Sequence, residues 1–159
     1  MTRFLKLAVF ATFVTLCGVA RAESGGDPLL TVTMDDMQIV LTRAQLEEID
    51  NANVETTTIW TEGAQSFTGV SLFRLMEELG VSEGTLLASA INDYTVEVPV
   101  SDAVEGGPII AYQLNGSHMS VRDKGPLWLV YPYDGDPKYQ SEVIYSRSIW
   151  QLDRIVLVP

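Results

Sequence analysis

The sequence predicts an α+β fold, a mixed β-sheet core carrying a few short helices, and three observations point to it. Short runs rich in Val, Ile and Thr recur between turn-forming residues, two brief segments show helical spacing with caps, and Asn115-Gly116 marks a tight hairpin.

Residues 29–33 and 38–41 read as two strands joined by an Asp35-Asp36 turn, so a hairpin opens the domain. Thr42-Arg43-Ala44-Gln45 has the form of a capping box, in which a threonine caps the first turn and a glutamine reaches back. A short helix is therefore expected through residues 46–49. Residues 54–60, rich in threonine and β-branched side chains, are expected to form a strand. Leu72, Leu75, Met76 and Leu79 then recur at helical spacing, with Ser71 to cap the start and Gly80 to end it, and their stripe belongs in the core. Residues 86–90 and 95–100 flank an Asn92-Asp93-Tyr94 turn, and residues 109–114 run into Asn115-Gly116. Lys124-Gly125-Pro126 turns the chain into residues 127–131, and residues 155–158 make a last apolar strand.

The first 22 residues have a different character. Arg3 and Lys6 form a basic start, residues 7–19 are almost wholly apolar, and Ala20-Arg21-Ala22 supplies small residues at the spacing a signal peptidase reads. The apolar run is shorter than the roughly 20 residues a membrane span needs. A signal peptide over residues 1–22, cleaved after Ala22, is expected. A loose leader over residues 23–28 and one domain over residues 29–159 follow, and the mature protein is expected to work outside the cytoplasm. Leu16 stands where a lipoprotein signal wants a small residue, so Cys17 is not read as a lipidation site.

Cleavage would remove Arg3, Lys6 and Arg21, leaving seven basic residues against 21 acidic ones and a net charge of −14. Such a surface repels phosphate backbones and anionic lipid, so neither nucleic acid nor direct membrane insertion is expected. Cys17, the only cysteine, would leave too, and with it disulfide, thiolate and cysteine–metal chemistry. His118 is the one histidine, two residues past the Asn-Gly turn and placed on a strand, with no serine and acid marked to complete a triad. Asp134-Gly135-Asp136 lacks the further ligands of a calcium loop and reads as a solvated turn. No glycine-rich phosphate loop opens a helix.

Tyr145-Ser146-Arg147-Ser148-Ile149-Trp150 packs two aromatics, an arginine and two hydroxyls into six residues, a mixture suited to a flat polar heterocycle. By composition alone a core tryptophan beside the last strand and a surface arginine describe the same residues better.

Five stretches, in order, carry a family resemblance: Thr58-Ile59-Trp60-Thr61-Glu62-Gly63, Phe67-Thr68-Gly69-Val70-Ser71-Leu72, Ile91-Asn92-Asp93-Tyr94, Gly125-Pro126-Leu127-Trp128-Leu129-Val130-Tyr131-Pro132 and Ser146-Arg147-Ser148-Ile149-Trp150-Gln151-Leu152. Over most of residues 29–159 the chain resembles small exported relatives of the sulfite oxidase-type molybdopterin-binding domain. Enzymes of that superfamily hold molybdenum through the pterin dithiolene and one protein cysteine, which the expected mature chain lacks. The resemblance therefore implies a non-catalytic periplasmic pterin-binding protein without a metal. Its implied partner is the periplasmic domain of an inner-membrane signalling protein, a cyclic di-GMP enzyme or a sensor kinase. The alternative is a molybdopterin-dependent oxidoreductase or a subunit of one.

Molybdopterin carries a phosphate, and only Arg43, Arg74, Arg122, Lys124, Lys138, Arg147 and Arg154 remain to meet it, so an uncharged reduced pterin is preferred over molybdopterin. Within that resemblance Trp150 is assigned to ring stacking and Arg147 to the acceptor edge of the ring. Asp93 or Glu62 takes the donor edge, and Trp60, Tyr94, Tyr145 and Ser148 form the wall.

Overall fold

The computed structural model describes residues 26–159; the expected signal peptide and the first residues of the leader lie outside them. The chain opens with β1 (Pro28–Met34) and β2 (Met37–Thr42), the expected hairpin, followed by α1 (Arg43–Ile49). The capping box is formed: Thr42 accepts from the Gln45 N–H, and the Gln45 side chain accepts from the Thr42 N–H at 2.8 Å. Next come β3 (Ala52–Thr56), β4 (Gln65–Ser71) and α2 (Leu72–Leu79). Ser71 caps α2, and Gly80 ends it in the left-handed region at φ 69°, which a glycine adopts without a Cβ clash. β5 (Thr85–Ala90) and β6 (Thr95–Pro99) form a second hairpin. β7 (Ile109–Leu114), β8 (Ser117–His118) and β9 (Trp128–Val130) precede α3 (Glu142–Arg147) and β10 (Leu152–Val158).

The strands form two sheets, in the orders β2-β1-β10-β5-β6 and β3-β4-β7-β8, with β9 also paired to β7. The first sheet is mixed, because β1 and β10 run parallel (Thr31 opposite Arg154) while its other neighbours are antiparallel. One mixed and one antiparallel sheet with three short helices give the α+β class that the sequence predicts. One apolar core joins the two sheets: Leu30, Val32 and Ile155 come from the first, Phe67, Ile110 and Trp128 from the second, and Leu75 of α2 packs with them. Gly69 marks a very close approach of two strands, since a Cβ there would stand 2.1 Å from the Ile110 carbonyl oxygen on β7.

Four elements differ from the expectation. The strand expected over residues 54–60 ends at Thr56, because Thr57 turns to give its N–H and hydroxyl to the Asp134 carboxylate, at 2.6 and 2.7 Å. β4 had no strand assigned to it, although its Phe67 and Val70 are fully buried. α3 also went unpredicted: it is one and a half turns long, starts at the Ser141 cap, and its only buried residue is Ile144. The last strand begins three residues earlier than expected, at Leu152.

Candidate functional site

The two sheets meet where residues 149–152 leave the second for the first. The Leu129 N–H donates to the Ile149 carbonyl at 2.8 Å, the Leu152 N–H donates to the Leu127 carbonyl at 3.0 Å, and Trp150 pairs with Trp128 between them. Gln151, at φ 54°, then gives its N–H to the Lys124 carbonyl, and its own carbonyl accepts from the Ile91 N–H, both at 3.0 Å. These bonds tie the β5–β6 turn to the crossover and leave a cleft of about 350 Å³ between them.

The cleft has three sides. Trp60 comes from the loop after β3, Ala90, Asn92 and Tyr94 come from the β5–β6 turn, and Tyr145, Ser146, Ser148 and Ile149 join Trp150 and Gln151 from the α3 end and the crossover. Trp60 is held by its own loop: the Thr58 hydroxyl accepts the Trp60 N–H at 3.0 Å and bonds the Thr61 hydroxyl at 2.8 Å. Asp134 anchors the same loop from outside, and the two bonds from Thr57 hold its carboxyl below the usual carboxylate range. The Asp134-Gly135-Asp136 turn thus serves as a brace for a wall residue.

Aromatic edges build the floor. The Trp60 ring stands edge-on to those of Trp150, Trp128 and Tyr145, at centroid distances of 5.6, 5.9 and 5.9 Å. Such pairs each contribute about 0.5–1.5 kcal/mol beyond burial and fix the rings against rotation. Trp128 is fully buried and donates its Nε1–H to the Ser148 carbonyl at 3.2 Å, whereas Trp150 is 37 % exposed and presents its indole to the cleft. The Lys124 ammonium lies 5.7 Å from the centroids of both indoles, a cation–π contact that braces the crossover.

Five of the eight residues assigned from the sequence line the cleft: Trp60, Tyr94, Tyr145, Ser148 and Trp150. The hydroxyl of Ser148 is already used, donating to the Ile144 carbonyl at 2.8 Å and accepting from the Tyr133 hydroxyl at 2.6 Å. Burial pushes the Tyr133 phenol up to about 12, so Tyr133 remains a donor at neutral pH.

The other three lie elsewhere. Arg147 bonds the Asp102 carboxylate at 2.9 Å outside the cleft, and the Tyr131 hydroxyl donates to the same oxygen at 2.7 Å. Burial first, and then the Asp102 carboxylate, hold the Tyr131 phenol far above its ordinary range. Asp93 points outward and pairs with Arg154 of β10. Glu62 is exposed outside the cleft, and its main-chain carbonyl accepts from the Gln65 side chain at 2.6 Å. Each of the two paired charges is met by an opposite charge within the fold, Arg147 by Asp102 and Asp93 by Arg154, and neither lines the cleft.

Asn92, Ser146 and Gln151 reach the cleft although the sequence assigned them no role; all three stand inside or next to wall residues within the resembling stretches. The Gln151 side chain donates to the Val121 carbonyl at 2.7 Å, which leaves its amide oxygen as an acceptor, while the Asn92 oxygen is used by the Tyr94 N–H and its amide nitrogen remains a donor. No charged side chain lines the cleft. Among the described residues no group of three or more His, Cys, Asp or Glu could hold an ion, and none of them is a cysteine. His118, on β8, lies outside the cleft with its Nδ1 3.0 Å from an Arg43 guanidinium nitrogen.

The cleft therefore suits a flat, uncharged heterocycle, with aromatic faces and edges for the ring and neutral amides and hydroxyls for its polar rim. It does not suit a dithiolene-bound molybdenum, which needs a soft thiolate ligand, or a phosphate, which needs cations. No curated protein matches the chain significantly. The oxidoreductase molybdopterin binding domain matches it over residues 28–134, a span that includes Trp60, Asn92 and Tyr94 and stops before the wall at residues 145–151. With well over half of its length matched, the chain belongs to the family of oxidoreductase molybdopterin binding domains.

Proposed function

We propose that this protein is a non-catalytic pterin-binding protein of the periplasm, whose loaded state is passed to the periplasmic domain of an inner-membrane signalling protein. The single observation that carries the reading is a molybdopterin-domain cleft walled by aromatic and neutral polar side chains, in a domain without cysteine. The ring of a reduced pterin lies against the Trp150 indole, with Trp60, Tyr94 and Tyr145 closing its other contacts. The Gln151 amide oxygen takes the donor edge in place of a carboxylate, and the Asn92 amide nitrogen and the free phenols serve the acceptor edge. The cleft wall carries no cysteine, histidine or carboxylate and no charged acid or base, which favours binding over turnover. The basic start, apolar run and Ala20-Arg21-Ala22 support export. The signalling partner rests on the family resemblance.

Protein purified from the periplasm of its host is denatured, and the released small molecules are identified by mass spectrometry and pterin fluorescence. The expected result is a pterin at about one per chain. Native protein free of pterin that also fails to bind added reduced pterins by calorimetry would refute the reading. Family membership favours a second reading, a molybdopterin-dependent oxidoreductase, and metal analysis separates the two. Molybdenum near one atom per chain, after expression in a host that makes the cofactor, would establish the second.

A further inference from the structure

We infer that β2 is a docking edge for an extended, cationic segment of a partner protein, which adds to the first sheet as a further strand. The surface shares no lining residue with the cleft, and the inference goes beyond the pterin reading without resting on it.

The edges of the two sheets are protected unequally. An edge strand offers its main-chain N–H and C=O groups to any extended chain, and charged side chains, proline, short length or a covering element commonly prevent such pairing. β6, at one edge of the first sheet, carries Glu97, ends in Pro99 and is flanked by α3. In the second sheet β3 carries Glu55, β8 is two residues long, and β9 is bonded along its other side by residues 149–152. β2, Met-Gln-Ile-Val-Leu-Thr, has none of these protections. Its pairing with β1 is regular from Leu41 to Met37, and among the described residues no strand lies on its other side. Two of its apolar side chains, Met37 and Val40, are 56 % and 43 % exposed.

The groove beside β2 sets the chemistry of the added strand. A space of about 470 Å³ is lined by Ile39 and Leu41 of β2, Ile49 of α1 and Leu79 of α2, with the exposed Glu48 and Glu78 on the same walls. Arg74 is the one cation lining it and is paired with Glu77, so no cation of the groove is left for Glu48 and Glu78. A lysine or arginine side chain suits both parts of this surface, because its stem covers the apolar walls while its head reaches a carboxylate. Successive residues of a strand point to opposite faces, so Val40, between Ile39 and Leu41, faces away from the groove. On an added strand the residues between the cations fall on that other face, beside Val40, where β-branched apolar side chains pair best. The occupant is therefore a segment in which lysine or arginine alternates with valine or isoleucine. A second copy of the chain is disfavoured by the same charges, since joining β2 to β2 would bring together the carboxylates of two strongly acidic molecules.

Amide NMR spectra of the mature protein, titrated with a capped peptide of alternating lysine and valine about as long as β2, test this. Shifts are expected at residues 37–41 and along the groove, and none at Trp60, Tyr94 or Trp150. The same peptide with glutamate in place of lysine, or with its main-chain nitrogens methylated, is expected to bind about tenfold more weakly. Glu48→Gln together with Glu78→Gln, two exposed changes, is expected to weaken the lysine peptide about threefold to tenfold. Shifts centred on any other surface, equal affinity for the glutamate peptide, or no binding at millimolar peptide would overturn the inference and leave the pterin reading intact. A dimer that sediments without peptide and that Val40→Lys dissolves would also overturn it, because a second copy would then hold the edge.

Discussion

Replacing Trp150 with alanine separates what this indole does for the fold from what it does for the ligand. In the folded protein it makes edge contacts with Trp60 at 5.6 Å and Trp128 at 6.2 Å and a cation–π contact with Lys124. At about 0.5–1.5 kcal/mol for each aromatic pair and about 0.5–1 kcal/mol for the cation, the loss spans about 1.5–4 kcal/mol and centres on about 2–3 kcal/mol. That is below the cost of emptying a sealed core site, because 37 % of the residue is already exposed. For a domain of this size the melting temperature should fall by roughly 6–12 °C, which leaves the variant folded at room temperature. Stacking of a heterocycle on an aromatic side chain contributes about 1–3 kcal/mol, so affinity for a reduced pterin should fall about fivefold to 150-fold. Calorimetric melting and titration of the same samples read the two effects, and Trp150→Phe, which keeps an aromatic face, should recover most of the affinity. If the alanine variant melts early but binds reduced pterin as tightly as the native protein, the indole is a strut between two sheets and the stacking argument fails.

Asp102→Ala should destabilise the domain by about 2–3 kcal/mol in urea unfolding, because it strands the Arg147 guanidinium and the Tyr131 hydroxyl in a mostly buried place; a loss below about 0.5 kcal/mol would mean that water replaces both bonds. Gly69→Ala should cost on the order of 3 kcal/mol or prevent folding, since its Cβ would force β4 from β7 at the Ile110 carbonyl; circular dichroism melting checks this. Burial raises the Asp50 carboxyl, but bonds from the Ser71 hydroxyl and N–H outweigh it and leave the group below its ordinary value. The stability it contributes is therefore present above about pH 4 and lost as pH falls through the lower folded value, and Asp50→Asn should flatten that acid limb in a urea series. Tyr133 has the opposite sign. Its phenol stays protonated to about 12 in the folded protein, so stability present below about pH 10 is lost as pH rises, and Tyr133→Phe should reduce that loss.

How much of this was legible from the sequence depended on the range of the forces involved. The α1 cap needs only Thr42 and Gln45, three residues apart, and the β7–β8 turn needs only Asn115 and Gly116, both of which adopt positive φ. The α2 stripe was equally local, with Leu72, Leu75 and Met76 buried on one face. α3 escaped notice because a six-residue helix offers too few apolar positions to show a period, and β4 because its Ser, Thr and Gly interrupt any alternation. The strand read over residues 54–60 was cut short by Asp134, 77 residues away from Thr57.

By itself the sequence determined the class of the fold, the supply of aromatic side chains, and the absence of any cysteine after residue 17. Those are properties of composition, caps and spacing, set by neighbours a few residues apart. The tertiary structure alone decided which charges would be available to a ligand. Arg147 met Asp102, 45 residues earlier in the chain, and Arg154 met Asp93, 61 residues away, so the two groups expected at the polar edges of a ring were neutralised elsewhere and the cleft was left without charge. The physical reason is that ion pairing acts through space. Its partners are chosen by the pairing of strands and the crossing between sheets, which no local pattern of residues records.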